Sequence, residues 1–318
     1  MNKKILSLTV LLWGGVSAAA VRSAVFEPLD GKVLLIVGQN LEEIQSYLDA
    51  AQKVPGGFMA YTSLRDIQGL RAPANQGDGT QYAQKLLDDY PDTVLQLGLW
   101  IVDDCGRIAR GEMDAKIDRL GDWIEGTRRP VFLRIGYEFD GPHNHYPPED
   151  YVNAFRRIVD HFRRRGIHNV AYVWHSYASR ISRPLGDWYP GDDYVDWIGI
   201  SYFNQSQSQM QPALGFARAH GKPVMIAESS PWKVQTRWPN AWNLWFVPYF
   251  KFIQANDIKA VCYISSDWDA TNQFRSQHWG DTRLQSNPEN LRRWLEETAQ
   301  DRYLKASPDL FQRLGYKK

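Results

Sequence analysis

The nine residues VFLRIGYEF (131–139) run from an apolar strand into a carboxylate, and their reading decides the fold. Val131 to Ile135 is too short for a helix and apolar on both sides of the alternation, the pattern of a strand covered on both faces. Seven more runs of the same kind flank it. VLLIVGQ (33–39), FMAYTSL (58–64) and VLQLGLWI (94–101) precede it; NVAYVWHS (169–176), VDWIGISYF (195–203), PVMIAESS (223–230) and AVCYISSDW (260–268) follow. Between them, helical spacing recurs at 41–52, 79–90, 112–125, 148–165 and 240–256, and a closing helix with a basic tail begins near Asn290. Buried strands alternating with helices pair in parallel through right-handed crossovers, so eight such units predict an α/β chain folded as a (β/α)8 TIM barrel. An open doubly wound sheet is the competing layout, but it calls for a Gly-rich phosphate turn after the first strand, and GQNLEE (38–43) is not one.

Composition narrows the function. The chain has 318 residues, with 37 Lys and Arg against 36 Asp and Glu and 43% apolar residues, which disfavours disorder and an electrostatic nucleic-acid binder. Aromatic residues are in excess of what a core needs, with 13 Trp, 16 Tyr and 13 Phe, and flat ligands such as sugars come to mind. Lys3 and Lys4, the apolar run Ile5 to Val16 and Ala18-Ala19-Ala20 have the order of a secretory signal over residues 1–20, too short for a membrane span. The expectation is a secreted or periplasmic protein without stable membrane insertion, residues 21–318 forming one domain and acting as a monomer. Cys105 and Cys262 fall on distant segments and are expected to be unpaired.

Barrels of this kind carry their chemistry at the C-terminal ends of the strands. There the sequence places Trp100, Arg134, Tyr137, Glu138, Asp140, Trp174, His175, Tyr202, Glu228 and Trp268, with Asn144 and Trp232 just beyond. A carboxylate at the rim of a buried strand is costly unless it is paired or used. Arg134 is the obvious salt-bridge partner for Glu138, four residues away on one strand face. Two glutamates on strands four and seven, facing one another among tryptophans, instead suit glycoside hydrolysis. One carboxyl stays protonated for the leaving oxygen, and the other stays ionised to attack the anomeric carbon.

RIGYEFDG (134–141), NVAYVWHS (169–176), WYPGDDYVDWIGISYF (188–203) and KPVMIAESS (222–230) together resemble the retaining barrel enzymes of glycoside hydrolase family 26. The resemblance implies a secreted retaining endo-β-glycanase without a cofactor. It makes Glu138 the acid/base and Glu228 the nucleophile, with Arg134 matching the arginine four residues earlier. It also implies that Tyr202 holds the nucleophile and that Trp174 stands beside the sugar. Two positions depart from the mannan-degrading members: Tyr137 replaces a histidine and Ser201 an aspartate, so β-1,3-xylan and β-glucan stand beside β-mannan as substrates. His175 is expected to help orient the charges, Asp140 and Asn144 to line subsites, and Trp100, Trp174, Trp232 and Trp268 to form walls. Trp242 and Trp245 are expected to pack helices.

His143 and His145 have the look of a metal pair, but loop histidines lack the further ligands such a site needs, so no metal is expected. Ser229 and Ser230 lack the Gly-x-Ser-x-Gly elbow of a serine nucleophile. A catalytically silent glycan-binding barrel would not need two opposed carboxylates. Trimming of an exopolysaccharide made by the same cell would change the partner and leave the chemistry alone.

Overall fold

The computed structural model describes residues 24–76, 79–179 and 183–317; the expected signal segment, 1–20, lies outside them. The eight apolar runs form eight strands: β1 (Val33–Gly38), β2 (Gly57–Ser63), β3 (Val94–Trp100), β4 (Val131–Ile135), β5 (Val170–Ser176), β6 (Trp197–Tyr202), β7 (Val224–Ser229) and β8 (Ala260–Ile264). Each pairs in parallel with the next, and β8 pairs in parallel with β1, which closes the barrel.

Helices α1 (Leu41–Ala51), α2 (Ala83–Asp89), α3 (Asp114–Thr127), α4 (Pro148–Arg164), α5 (Gln207–Ala219), α6 (Val247–Ala255) and α7 (Pro288–Ala299) surround it. The helix expected over 240–256 is divided, because a wider π-type turn at Trp242–Phe246 precedes α6. Among the described residues, the β5–β6 connection holds only a 3-10 turn, Leu185–Trp188. Pro184 and Pro190 bracket that turn and prevent a longer helix. No helix among the described residues is long and apolar enough to cross a membrane.

Side chains alternate between two compartments, as the period of a strand requires. Phe132, Val173, Trp197, Met225 and Ala227 fill the barrel interior. Leu133, Tyr172, Trp174, Ile198, Ile200 and Tyr202 face the helices. The chain after α7, read from sequence as a basic tail, in fact folds back: Tyr303–Leu304 joins the sheet beside β1, and Leu310, Phe311 and Leu314 pack into the inner cluster. This apolar set is too short to show a period. Cys105 and Cys262 are buried free thiols.

Candidate active site

Parity and two backbone irregularities aim the polar groups. On β4, Arg134 lies two residues after inward-facing Phe132 and is fully buried. On β5 and β6, His175 and Ser201 have the same parity as inward-facing Val173 and Trp197. Glu228 follows inward-facing Ala227, so regular alternation would turn it outward. The pairing of β6 with β7 shifts register between Ile200 and Ser201, and this bulge brings Glu228 to the interior. Glu138 stands three residues past β4, on a turn where Gly136 (φ 59°) and Glu138 (φ 51°) are left-handed. Gly98 on β3 leaves the room this cluster needs. A Cβ there would come within 2.5 Å of the Tyr61 ring and 2.9 Å of Arg134 Nη2.

The two carboxylates line one cavity of about 440 Å³ at the C-terminal mouth. Tyr61, Trp100, Tyr137 and Tyr177 form aromatic walls, continued by Phe203, Trp268, Phe274 and Trp279. Gln39, Gln76, Asn144, Gln273 and Gln277 supply amides, and among the described residues no Lys or Arg lines the space. Neutral hydrogen-bonding groups between apolar rings suit an uncharged sugar chain.

Glu228 is held on one oxygen. Arg134 Nη1 donates to its Oε1 in a short ion pair, and Tyr61 Oη donates to the same atom at 2.8 Å. Arg134 is itself flanked by the rings of Tyr61 and Tyr137, each 5.1 Å from the guanidinium carbon, and its Nη2 lies 3.1 Å from Met59 Sδ. Burial opposes the Arg134 charge, but Glu228 and Tyr61 outweigh it and hold the guanidinium firmly protonated. Burial lifts the Glu228 carboxyl above the ordinary range and the Glu138 charge adds to this, while Arg134 and Tyr61 pull it back.

Glu138 is held on both oxygens. Ser201 Oγ donates to Oε1 at 2.5 Å, and His143 Nε2 lies 2.6 Å from Oε2. The hydrogen bond to Glu138 raises the His143 pKa, against partial burial. His175 connects the two halves, with Arg134 Nη1 at 3.2 Å and Ser201 Oγ at 3.0 Å.

The structure brings Glu138, Glu228, Tyr137, Asn144, Trp100 and Trp268 to the cavity. Arg134 and His175 lie beneath it and bind carboxylates or their partners, the orienting role expected of His175, and neither lines the cavity as a substrate-binding residue would. The salt bridge expected between Arg134 and Glu138 is made to Glu228 instead. Trp174 and Tyr202 are misplaced by the sequence reading. Trp174 stacks on Phe139 (4.4 Å between centroids), and Tyr202 packs on Trp245, Tyr249 and Phe252, both in the shell under the helices. Odd parity sends each outward. The aromatic hydroxyl on Glu228 belongs to Tyr61, whose place two residues after inward-facing Met59 was the available signal. Asp140 accepts from Ser176 Oγ (2.7 Å) and the Tyr177 amide (2.6 Å), which braces the loop and leaves no role as a subsite. Trp232 stands behind the wall, edge-on to Trp279 at 6.4 Å. Trp242 and Trp245 pack against Phe246, as expected. Of the two loop histidines, His143 turns to Glu138, and His145 is exposed.

A parallel (β/α)8 barrel whose mouth holds two opposed carboxylates between aromatic and amide walls defines a glycoside hydrolase. The model of Glycosyl hydrolase family 26 matches residues 100–234. The chain is 32% identical over 339 residues to a beta-1,3-xylanase from Vibrio sp, covering 95% of this chain and 74% of that protein. It is likewise 32% identical over 324 residues to a beta-1,3-xylanase from Alcaligenes sp, covering 91% and 69%. A family 26 beta-mannanase structure from Bacteroides ovatus superposes with a TM-score of 0.62 at 17% identity, covering 91% of this chain and 93% of that one. The chain belongs to glycosyl hydrolase family 26.

Proposed function

We propose that the protein is an exported, retaining endo-β-glycanase acting on β-1,3-xylan through a covalent glycosyl-enzyme intermediate. The observation that carries the reading is the unequal treatment of two carboxylates in one cavity. Glu228 is the nucleophile: its Oε1 is occupied by Arg134 and Tyr61, which leaves Oε2 to attack the anomeric carbon. Glu138 is the acid/base. It protonates the glycosidic oxygen as that bond breaks, then takes a proton from the water that displaces Glu228. The second step frees Glu228 and returns the proton to Glu138, so the enzyme is restored.

The two beta-1,3-xylanases at 32% identity favour that substrate over mannan and mixed β-glucan. Apart from Glu138, Glu228 and His143, the described lining is amide and aromatic, which supports a neutral chain. Export is supported by the order of basic, apolar and small residues in 1–20. Purified enzyme is assayed on β-1,3-xylan, β-1,4-mannan, mixed β-glucan and galactan, with product sizes resolved and the first-formed anomer followed by NMR. Internal cleavage of β-1,3-xylan with retained configuration is expected. Inversion removes the covalent mechanism, and preference for another glycan removes the substrate.

A further inference from the structure

Below the floor of the cleft runs a set of polar contacts that the two-carboxylate chemistry does not itself use. We propose that Ser201 is a positioning residue for Glu138, a hydroxyl obliged to donate to Oε1 and thereby confining the acid proton to Oε2. This rests on reading Glu138 as the acid/base.

The direction of the chain follows from what each group can donate. A guanidinium has no acceptor, so at 3.2 Å from Arg134 Nη1 the His175 Nδ1 must offer its lone pair. Burial and the Arg134 charge hold the His175 imidazole well below its ordinary pKa, so it is neutral and carries its single proton on Nε2. That N–H donates to Ser201 Oγ at 3.0 Å. With an acceptor site of Oγ filled from His175, the Ser201 hydrogen turns to Glu138 Oε1, 2.5 Å away. The chain from Arg134 Nη1 through His175 and Ser201 thus donates toward Glu138, while the same guanidinium also donates to Glu228. His175 and Ser201 are both fully buried, so water does not compete for these bonds.

Oε1 therefore receives a hydrogen bond in either protonation state, and the proton that Glu138 gives to the leaving group resides on Oε2. That atom lies toward the cleft, beside His143. The titratable groups around Glu138 are His143, Asp140 and Tyr146 on its own loop, Tyr177 beyond β5 and Glu228 on β7. Of the two hydrogen bonds on its carboxylate, the one from Ser201 comes from the barrel interior.

The test is Ser201→Ala, which removes one oxygen from a buried site. A hydrogen bond donated to a carboxylate favours its ionised form, and this variant removes one. The alkaline limb of the kcat/KM profile is expected to move up by about 0.5–1 pH unit, and kcat to fall about ten- to a hundredfold with KM changed less than about twofold. An unmoved limb with only a lower melting temperature makes Ser201 a packing residue and overturns the proposal. In the unaltered protein, 15N NMR of His175 is expected to show the neutral Nε2–H tautomer across the active pH range. The Nδ1–H tautomer or an imidazolium also overturns it. Full activity of Glu138→Gln strikes instead at the acid/base reading, and the proposal falls with it.

Discussion

Trp174 and His175 are neighbours on β5 and occupy different worlds. Trp174 lies flat on Phe139 in the shell beneath the helices, whereas His175 reaches into the barrel and joins the network under both carboxylates. Tyr202 and Ser201 on β6 repeat the division. In both pairs the residue that looks more like a sugar ligand is the packing residue, and the less conspicuous one serves the site. Parity along the strand, set by the period of two, decides which side chain reaches the chemistry. The outer shell is apolar and answers to stability; the inner mouth is polar, strained in backbone at Glu138 and answers to rate.

That division can be broken experimentally, beginning where the effect is largest. Glu228→Gln and Glu138→Gln are expected to lower kcat by at least ~10³-fold with little change in melting temperature. Trp174→Ala is expected to cost about 3–5 kcal/mol of stability, measured by denaturant unfolding, while KM of the folded fraction stays as it was. Trp174 behaving as a KM residue would place it back at the cleft. Tyr61→Phe removes a donor from the Glu228 carboxylate and is expected to lower kcat about ten- to a hundredfold. Because the proposed nucleophile works ionised, and losing a donor raises its pKa, the acid limb of the rate profile is expected to move to higher pH. Tyr202→Phe is expected to leave kcat within about twofold, the contrast that separates the two tyrosines. Trp100→Ala is expected to act on binding alone, with a rise in KM of roughly five- to tenfold and unaltered pH limbs.

The barrel was legible because strand and helix periods alternate eight times along the chain, and Glu138 and Glu228 because a charge at the rim of a buried strand is conspicuous. Around them the reading by residue type failed in a regular way. Trp174 and Tyr202 were drawn to the site by their chemistry, against a parity that the apolar partners Val173 and Trp197 already displayed. Glu228 is the reverse case. Parity alone points it outward, and only the bulge between β6 and β7, which leaves no mark in composition, turns it in. Phe274 and Trp279 reach the cavity from a loop with no period to read, and the Leu310, Phe311 and Leu314 plug is shorter than one full pattern.

Glu228 is the group proposed to bond to sugar. The most direct measurement is trapping with an activated 2-deoxy-2-fluoro glycoside of the preferred sugar, followed by peptide mass spectrometry. Fluorine at C2 slows formation of the oxocarbenium-like transition state in both steps, and the good leaving group restores the first, so the intermediate accumulates. A single glycosyl adduct on the peptide bearing Glu228, absent from Glu228→Gln, is the expected result. An adduct on any other carboxylate, or turnover of the reagent with inverted configuration and no adduct, contradicts the account.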